Sequence, residues 1–349
     1  MARILYGVVS VGFGHTIRSK VVIDYLKHQK HKVLIVTSNA SYDYYKKIYK
    51  KDVYTIEGLE LVFKKNSVLN LKTILKNLEK ASRKTYDKLL KVRTIIKEFG
   101  PEVIISDMES FTSFLASDQK LPLISIDNQH YLVYGNYSFP KKFRISYLKA
   151  LMIVKSIVLK AKYYMIMALP GDSIEDHVNV FKIKPLLRKE IMQATPETKD
   201  YIFVYQSTKS YDTLIDILKR INYKFIIYGF DKDKIVGNLY FKSFKDNKEY
   251  INDLAHSKAV ITNGGFTLIS ESLYLSKPLL VVPIKKHFEQ ILNALYVSEH
   301  KYGEFYSDLD ESHVVNFIMN LKDYRYTVEK WNNDQAFGLL DMLINKELK

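Results

Sequence analysis

The sequence predicts an α/β protein made of two doubly wound domains, each with a largely parallel sheet. Three observations predict it. Short β-branched apolar runs alternate with helical patterns, the mark of strands buried on both faces. The alternation begins twice, at Ile4 and afresh at Tyr201. The 349 residues exceed what one hydrophobic core organises, since cores stop growing near about 250–300 residues.

In the first half the strand candidates are Ile4–Ser10, Lys32–Thr37, Glu102–Ser106 and Pro122–Ile126. Helices are predicted between them over Thr16–Lys30, roughly Val68–Phe99, and Ser110–Gln119. Met1–Gly14 reads as a first strand and its loop, because Gly7, Gly12 and Gly14 break the apolar run that a signal peptide needs. Ile145–Leu169 is the longest apolar stretch, and Lys149, Lys155, Lys160 and Lys162 argue against its crossing a membrane. Tyr147, Ala150, Leu151, Val154, Ile157, Val158 and Ala161 share one helical face there. That fits a helix buried on one side or a basic amphipathic helix lying on a membrane.

The second half predicts strands Tyr201–Tyr205, Lys224–Tyr228, Asn238–Phe241, Ala259–Thr262 and Leu279–Val282. Its helices are Tyr211–Ile221, Lys248–His256, Gly265–Leu275 and His287–His300. Pro185, Pro196 and a charged stretch set the seam, giving domains of 1–190 and 191–349. A last helix, Asp323–Leu348, is expected to pack back on the first domain.

The chain has no cysteine, so disulfides, thiolate catalysis and Cys-ligated metal sites are excluded. The net charge is +15, and it is unevenly placed. Residues 1–168 hold 29 basic and 13 acidic side chains, whereas residues 169–349 hold 24 and 25. Lysine outnumbers arginine 45 to 8, as a composition bias would produce, yet the same bias leaves the second half neutral. An anionic partner for the first half is the alternative.

Ligands of doubly wound sheets sit at the carboxyl ends of strands. The first strand leads into Gly12-Phe13-Gly14-His15 and then a helix. A dinucleotide fingerprint would need a third glycine where Ile17 stands and an acid where Thr37-Ser38-Asn39 ends the second strand, so a nicotinamide or flavin cofactor is disfavoured. His15 at a helix start is a candidate general base, with a loop hydrogen-bonding role as the alternative. Asp107 ends another strand at the same sheet edge and could orient His15, or could cap the following helix. Asp127-Asn128-Gln129-His130 ends a third strand and is read as an acceptor-binding edge or as turn chemistry.

The second half carries Asn263-Gly264-Gly265-Phe266-Thr267 between a strand and a helix, with Glu271 six residues beyond Gly265. Backbone amides there can hold a diphosphate. Six residues of helix rise about 9 Å, about the step from a diphosphate to a ribose, whose hydroxyls a carboxylate accepts. Lys277-Pro278, Val282-Pro283, Glu289-Gln290 and Asn293-Ala294 follow, and the acid–amide pair suits sugar hydroxyls.

This ordered set resembles the donor half of GT-B glycosyltransferases. It is similar to the lipid II-forming N-acetylglucosaminyltransferase family and the UDP-glucuronosyltransferase superfamily. The Gly-x-Gly-His-x-x-Arg opening and Asp127–His130 resemble a less characterised branch. The resemblance implies a GT-B fold, two Rossmann-like domains facing across a cleft, and it implies roles. His15 matches the base. Gly12 and Gly14 match the loop near the donor phosphates. Gly264, Gly265 and Thr267, with Asn263, match the diphosphate site, and Ser207-Thr208 falls where a phosphate-contacting loop is expected. Glu271 matches the ribose acid, Glu289 and Gln290 the sugar-reading pair, and Phe244 the base cradle. Phe266 and Glu289 depart from the family's small residue and Asp, which bears on sugar identity.

The activity implied is an inverting, metal-independent transfer of a sugar from a nucleoside-diphosphate donor, UDP-linked, to an acceptor hydroxyl. No cofactor or metal is expected; Asp231-Lys232-Asp233 and Asp308-Leu309-Asp310 have Asp-x-Asp spacing but sit in polar turns. A nucleotide-sugar hydrolase or epimerase on the same fold is the rival, and a non-catalytic basic binding protein a weaker one. Nucleic acid is not expected as a partner, because arginine is scarce and no binding motif is present. The basic first half points to an anionic or lipid-linked acceptor, and to a cytoplasmic protein in peripheral contact with the inner face of an anionic membrane.

Overall fold

A computed structural model of the chain describes residues 1–56, 63–64, 67–68, 83–158, 160–207, 212–324 and 328–349. The first unit runs β1 (Arg3–Val8), α1 (Phe13–His28), β2 (Lys32–Thr37), α2 (Asn39–Tyr49), β3 (Val53–Thr55), a small hairpin of β4 (Phe63–Lys64) and β5 (Ser67–Val68), and α3 (Arg83–Phe99). It continues through β6 (Val103–Asp107), α4 (Ser110–Asp118), β7 (Leu123–Asp127), α5 (Tyr131–Tyr134), α6 (Arg144–Ile157), β8 (Tyr163–Met167) and β9 (Val180–Ile183). After α7 (Lys189–Gln193) the second unit runs β10 (Ile202–Tyr205), α8 (Asp212–Arg220), β11 (Phe225–Tyr228), β12 (Lys234–Val236), β13 (Leu239–Phe241) and α9 (Asn247–His256). It ends with β14 (Ala259–Thr262), α10 (Phe266–Tyr274), β15 (Leu279–Val281), α11 (Phe288–Glu299), β16 (Gly303–Phe305), α12 (Glu311–Met319) and α13 (Asp334–Glu347).

Each unit has one seven-stranded sheet. The orders are β3-β2-β1-β6-β7-β8-β9 and β12-β13-β11-β10-β14-β15-β16. Every pairing is parallel except β12 with β13. This is the doubly wound α/β class the sequence predicts. In each sheet the winding reverses at its centre, between β1 and β6 and between β10 and β14. A crevice opens at the carboxyl ends there because successive crossovers leave in opposite directions. Val8 pairs with Asp107, and Tyr205 with Thr262. The loops of interest therefore leave these central strands side by side.

Several elements differ from the sequence reading. The apolar stretch Ile145–Leu169 is a helix and then a strand, because α6 stops at Ile157 and β8 begins at Tyr163. A strand buried on both faces is a continuous apolar run, which periodicity alone does not separate from a helix end. The edge strands β3, β9 and β16 are three or four residues long, too short for a pattern. The helix expected to start at Val68 has only Arg83–Phe99 within the described residues, and Val68 itself lies in β5. Tyr211 of the predicted helix Tyr211–Ile221 lies outside the described residues, and α8 begins at Asp212. The terminal helix is Asp334–Glu347 rather than Asp323–Leu348.

The chain crosses between the sheets twice. On the outward crossing, Pro185 and Leu187 are clamped by residues of the return: Trp331 Nε1 donates to the Pro185 carbonyl at 2.8 Å, and Asn333 exchanges two bonds with the Leu187 backbone at 3.0 and 2.8 Å. Helix α13 then lies against the first unit. Phe337 stacks on Tyr25 with centroids 3.9 Å apart, Tyr25 donates to Asp341, and Glu347 accepts from Lys162 and Tyr163, each at 2.7 Å. Ala336, Leu340, Leu343 and Ile344 are buried in this contact. Leu343→Ala should destabilise the protein by about 2–5 kcal/mol; a loss below about 1 kcal/mol in urea unfolding would show that α13 is not packed in this way.

Candidate functional site

The site is organised by a buried carboxylate. Asp107 closes β6 and is 1% exposed. It does not cap α4: Glu109 does, accepting from the amides of Phe111 and Thr112 at 2.9 and 2.7 Å. Asp107 is thus free to serve the first glycine loop. His15 Nδ1 donates to Asp107 Oδ1 at 2.8 Å. Arg18 donates from Nε and a terminal nitrogen to the two carboxylate oxygens at 2.8 and 2.6 Å, and the Ser19 hydroxyl adds a bond of 2.9 Å. Burial pushes the Asp107 carboxyl up, but Arg18 and His15 outweigh it and hold it far below the usual carboxylate range.

His15 and Arg18 reach one carboxylate because α1 begins at Phe13, not Thr16. Residues three apart in its first turns share a face. Gly12 opens the helix with φ 83°, a region that favours glycine. With Nδ1 bound to Asp107, Nε2 is left as the basic atom of the neutral ring. Gln129 Nε2 lies 3.2 Å from it.

Two residues of the β7 edge bridge the units. Asn128 and Gln129 donate to the two oxygens of Glu289, each at 3.0 Å, while Arg18 donates to the side-chain carbonyls of both. Glu289 stands in the first turn of α11. Burial raises its carboxyl, and His287, His15 and the Asn128 amide bring it below its ordinary value. Asp127 and His130 turn inward. Asp127 accepts from the His130 amide and Nδ1 at 2.8 and 2.7 Å and from Ser125 at 2.6 Å, and all three residues are buried. Of the four-residue run, Asn128 and Gln129 are the ones that hydrogen-bond to the second unit among the described residues.

Across the crevice, β14 runs into Asn263-Gly264-Gly265 and α10. Asn263 accepts from the Ser207 amide at 2.8 Å and donates to Gln206, tying the β10 and β14 loops together. Thr208 lies outside the described residues. Gly264 has φ 91°, and a Cβ there would come within 2.9 Å of Val281 and 3.0 Å of the Gln290 carbonyl. A Cβ on Gly265 would meet nothing within 4 Å, so space lies open over the start of α10. Thr267 donates to the Gly14 carbonyl at 3.3 Å. The first turns of α1 and α10, with their unpaired amides, therefore meet across the crevice. Gln290 is turned to local support, its carbonyl accepting from the Ile284 amide at 2.9 Å.

Glu271 is 2% exposed. Both its oxygens accept from Arg188 of the outward crossing, at 2.7 and 2.6 Å. The guanidinium also lies 5.5 Å over the Tyr250 ring. Tyr250 contacts Phe244, and Phe244 contacts Phe13, with centroids 5.2 and 5.4 Å apart. Phe244 so forms an aromatic rim that joins the two units. Arg188 was not visible from sequence, because its partner lies 83 residues away on another element. Arg18 is the arginine of the Gly-x-Gly-His-x-x-Arg opening, and the sequence did not show that it reaches Asp107.

The two Asp-x-Asp pairs serve turns. Asp233 accepts from the Ser243 amide and hydroxyl and pairs with Lys245; Asp310 caps α12; Asp308 pairs with Lys285. Among the described residues no group of three or more His, Asp or Glu side chains converges as metal ligands would.

Two facing doubly wound domains, with helix starts and a His–Asp pair meeting at their switch points, have the architecture of GT-B glycosyltransferases. The chain belongs to Glycosyl transferase family 1, whose model matches residues 2–322. It is 27% identical over 336 residues to an uncharacterized glycosyltransferase of Methanosarcina acetivorans, covering 87% of this chain and 86% of that one. It is 32% identical over 122 residues to a UDP-N-acetylglucosamine–N-acetylmuramyl-(pentapeptide) pyrophosphoryl-undecaprenol N-acetylglucosamine transferase of Bacillus cereus, a match covering 29% of this chain and 33% of that one. Among solved structures it is similar to the glycotransferase of kitacinnamycin, with a TM-score of 0.62, 14% identity, and coverage of 92% and 90%.

Two outcomes follow from the buried charge cluster. Arg18→Met, which leaves Asp107 buried without its main partner, should cost about 3–5 kcal/mol in chemical unfolding. Because the folded Asp107 carboxyl lies below its unfolded value, its stabilising contribution is present above about pH 4 and is lost as pH falls further. Asp107→Asn should therefore flatten the acid limb of stability against pH by up to about one proton; an unchanged limb would contradict the assignment.

Proposed function

We propose that the protein transfers a sugar from a nucleoside diphosphate, uridine-linked, to an acceptor hydroxyl with inversion at the anomeric carbon. The observation that carries this reading is the His15–Asp107 bond of 2.8 Å, set beside the start of α10. In the proposed reaction the acceptor hydroxyl takes the place of the Gln129 amide at His15 Nε2. Nε2 takes the hydroxyl proton as the acceptor oxygen bonds to the anomeric carbon. The bond from that carbon to the β-phosphate oxygen breaks, and the nucleoside diphosphate leaves with the electron pair. Asp107 stabilises the imidazolium, and the amides from Gly265 to Thr267 stabilise the departing charge.

The donor roles follow the same logic. Gly12 and Gly14 border the phosphates, with Asn263 and Ser207 shaping the opposite loop. Glu271 accepts the ribose hydroxyls while Arg188 holds it, since a carboxylate has about four acceptor positions. Phe244 flanks the nucleobase. Glu289 faces the sugar, and Gln290 fixes the loop that positions it. No metal enters this scheme. For the acceptor, a cavity of about 290 Å³ between the units is lined by Asn128, Tyr131, Asn136, Asp172, Glu289 and His300, among others. The Bacillus cereus relative is named for a pyrophosphoryl-undecaprenol acceptor, which supports a lipid-linked hydroxyl compound as the acceptor class here.

His15→Ala should lower transfer by at least about 10²-fold while leaving the UDP-induced thermal shift in place, and retained turnover would sink the base assignment. Glu271→Ala should instead weaken nucleotide binding by about tenfold or more. Release of free sugar from UDP-sugars without acceptor, as fast as any transfer, would replace this reading with hydrolysis.

A further inference from the structure

Helix α6 has two faces. The inward one carries Tyr147, Ala150, Val154 and Ile157 against the first unit. Tyr147 and the preceding Phe139 also pack on Phe288 at 5.2 and 4.8 Å, next to Glu289 of the cleft. The outward face is apolar as well: Ile145 is 70% exposed, Leu148 48% and Met152 64%, with Ile153 beside them at 52%. Advancing about 100° per residue, Ile145, Leu148 and Met152 form one stripe. Lys149 flanks it on one side and Arg144 and Lys155 on the other, with Lys141 and Lys142 just before the helix. All five cations are exposed.

The charge around this stripe has one sign. From residue 128 to residue 171 the chain holds seven cations and no carboxylate. Of the seven cations, Lys162 is paired among the described residues, with Glu347. An ordinary solvated helix mixes signs and keeps apolar groups off its outer face. A protein partner would pair the cations one by one with acids in fixed geometry, whereas Arg144, Lys149 and Lys155 are exposed around an apolar stripe. A fluid sheet of phosphates over hydrocarbon matches both features, since cations sit among headgroups and the stripe sinks into the acyl boundary. No helix among the described residues is long and apolar enough to cross a membrane, so contact of this kind lies along the surface.

We propose that the outward face of α6 is a docking surface for an anionic lipid bilayer, with Ile145, Leu148 and Met152 inserted at the interface. Tyr137 and Ser138, on the loop leading to α6, line the cavity beside Glu289. Docking therefore lays the cavity mouth near the bilayer, where a lipid-linked hydroxyl compound enters from its side. The docking rests on the surface alone. Delivery of the acceptor rests on the transferase reading.

The test is co-sedimentation of the full chain with phosphatidylcholine vesicles, with and without phosphatidylglycerol. The protein should pellet with the anionic vesicles, be released by salt, and stay in solution with the neutral ones. Ile145→Asp with Met152→Asp, and separately Lys149→Glu with Lys155→Glu, should each weaken pelleting by about tenfold or more. Lys219→Glu with Lys234→Glu, on the second unit, should not. The UDP-induced thermal shift of every variant reports an intact donor domain, so failure to dock is distinguishable from failure of the donor site. Because the chain has no cysteine, Met152→Cys carrying an environment-sensitive dye reads insertion without destroying the stripe. Its emission should shift to the blue on anionic vesicles, and a dye on Lys219→Cys should not respond. No pelleting, equal loss in the second-unit control, loss on charge reversal but not in the apolar variant, or an unshifted Met152→Cys dye would each overturn the proposal.

Discussion

The structure depends on keeping one carboxylate ionised where water does not reach. Asp107 sits at the end of a central strand, inside the first domain's switch point. Such a charge persists only if its surroundings replace its hydration. Arg18, His15 and Ser19 do so, and all three come from the first turns of α1. This constrains much else. It fixes where α1 begins, sets the His15 tautomer, and turns Arg18 toward Asn128 and Gln129. Those amides then reach across to Glu289. One buried charge thereby ties the catalytic candidate to the contact between domains.

The second domain solves a different problem with little charge. Its crevice is built from backbone: an Asn-Gly-Gly turn, a helix start, and a neighbouring loop tied on by Asn263. Under the proposed reading, a dianionic diphosphate would be matched there by oriented amides, which need no buried counter-charge. Such a site is consistent with the neutrality of residues 169–349 in a protein that belongs to Glycosyl transferase family 1.

What could be read from the sequence was what short-range chemistry dictates. The central strands declare themselves because they are buried on both faces, and the glycine loops because helices start directly after them. The pairing of His15 with Asp107, 92 residues apart, was one of two readings their places at strand ends allowed, helix capping by Asp107 being the other. The Glu109 cap was missed because two acids lie close together after β6, and only geometry says which one faces α4. Arg188 was missed because nothing local distinguishes a linker arginine that reaches Glu271 from one that faces water. Strand β8 was hidden because it follows an apolar helix with only a short break. The outward stripe of α6 was obscured for a related reason: both faces of that helix are apolar, so the pattern did not say which one the fold would cover.

The double crossing between the domains has a mechanical consequence. A single linker lets two bodies swivel and twist. Here Pro185–Leu187 and Trp331–Asn333 pass side by side and are bonded to each other. Two adjacent strands of chain behave as a hinge pin: they leave one easy rotation, which opens the crevice, and resist sliding or torsion. Breaking the Glu289 contacts would therefore swing the domains apart along one arc, and closure would retrace it. Closure along that arc would bring His15 and the start of α10 back into the same register.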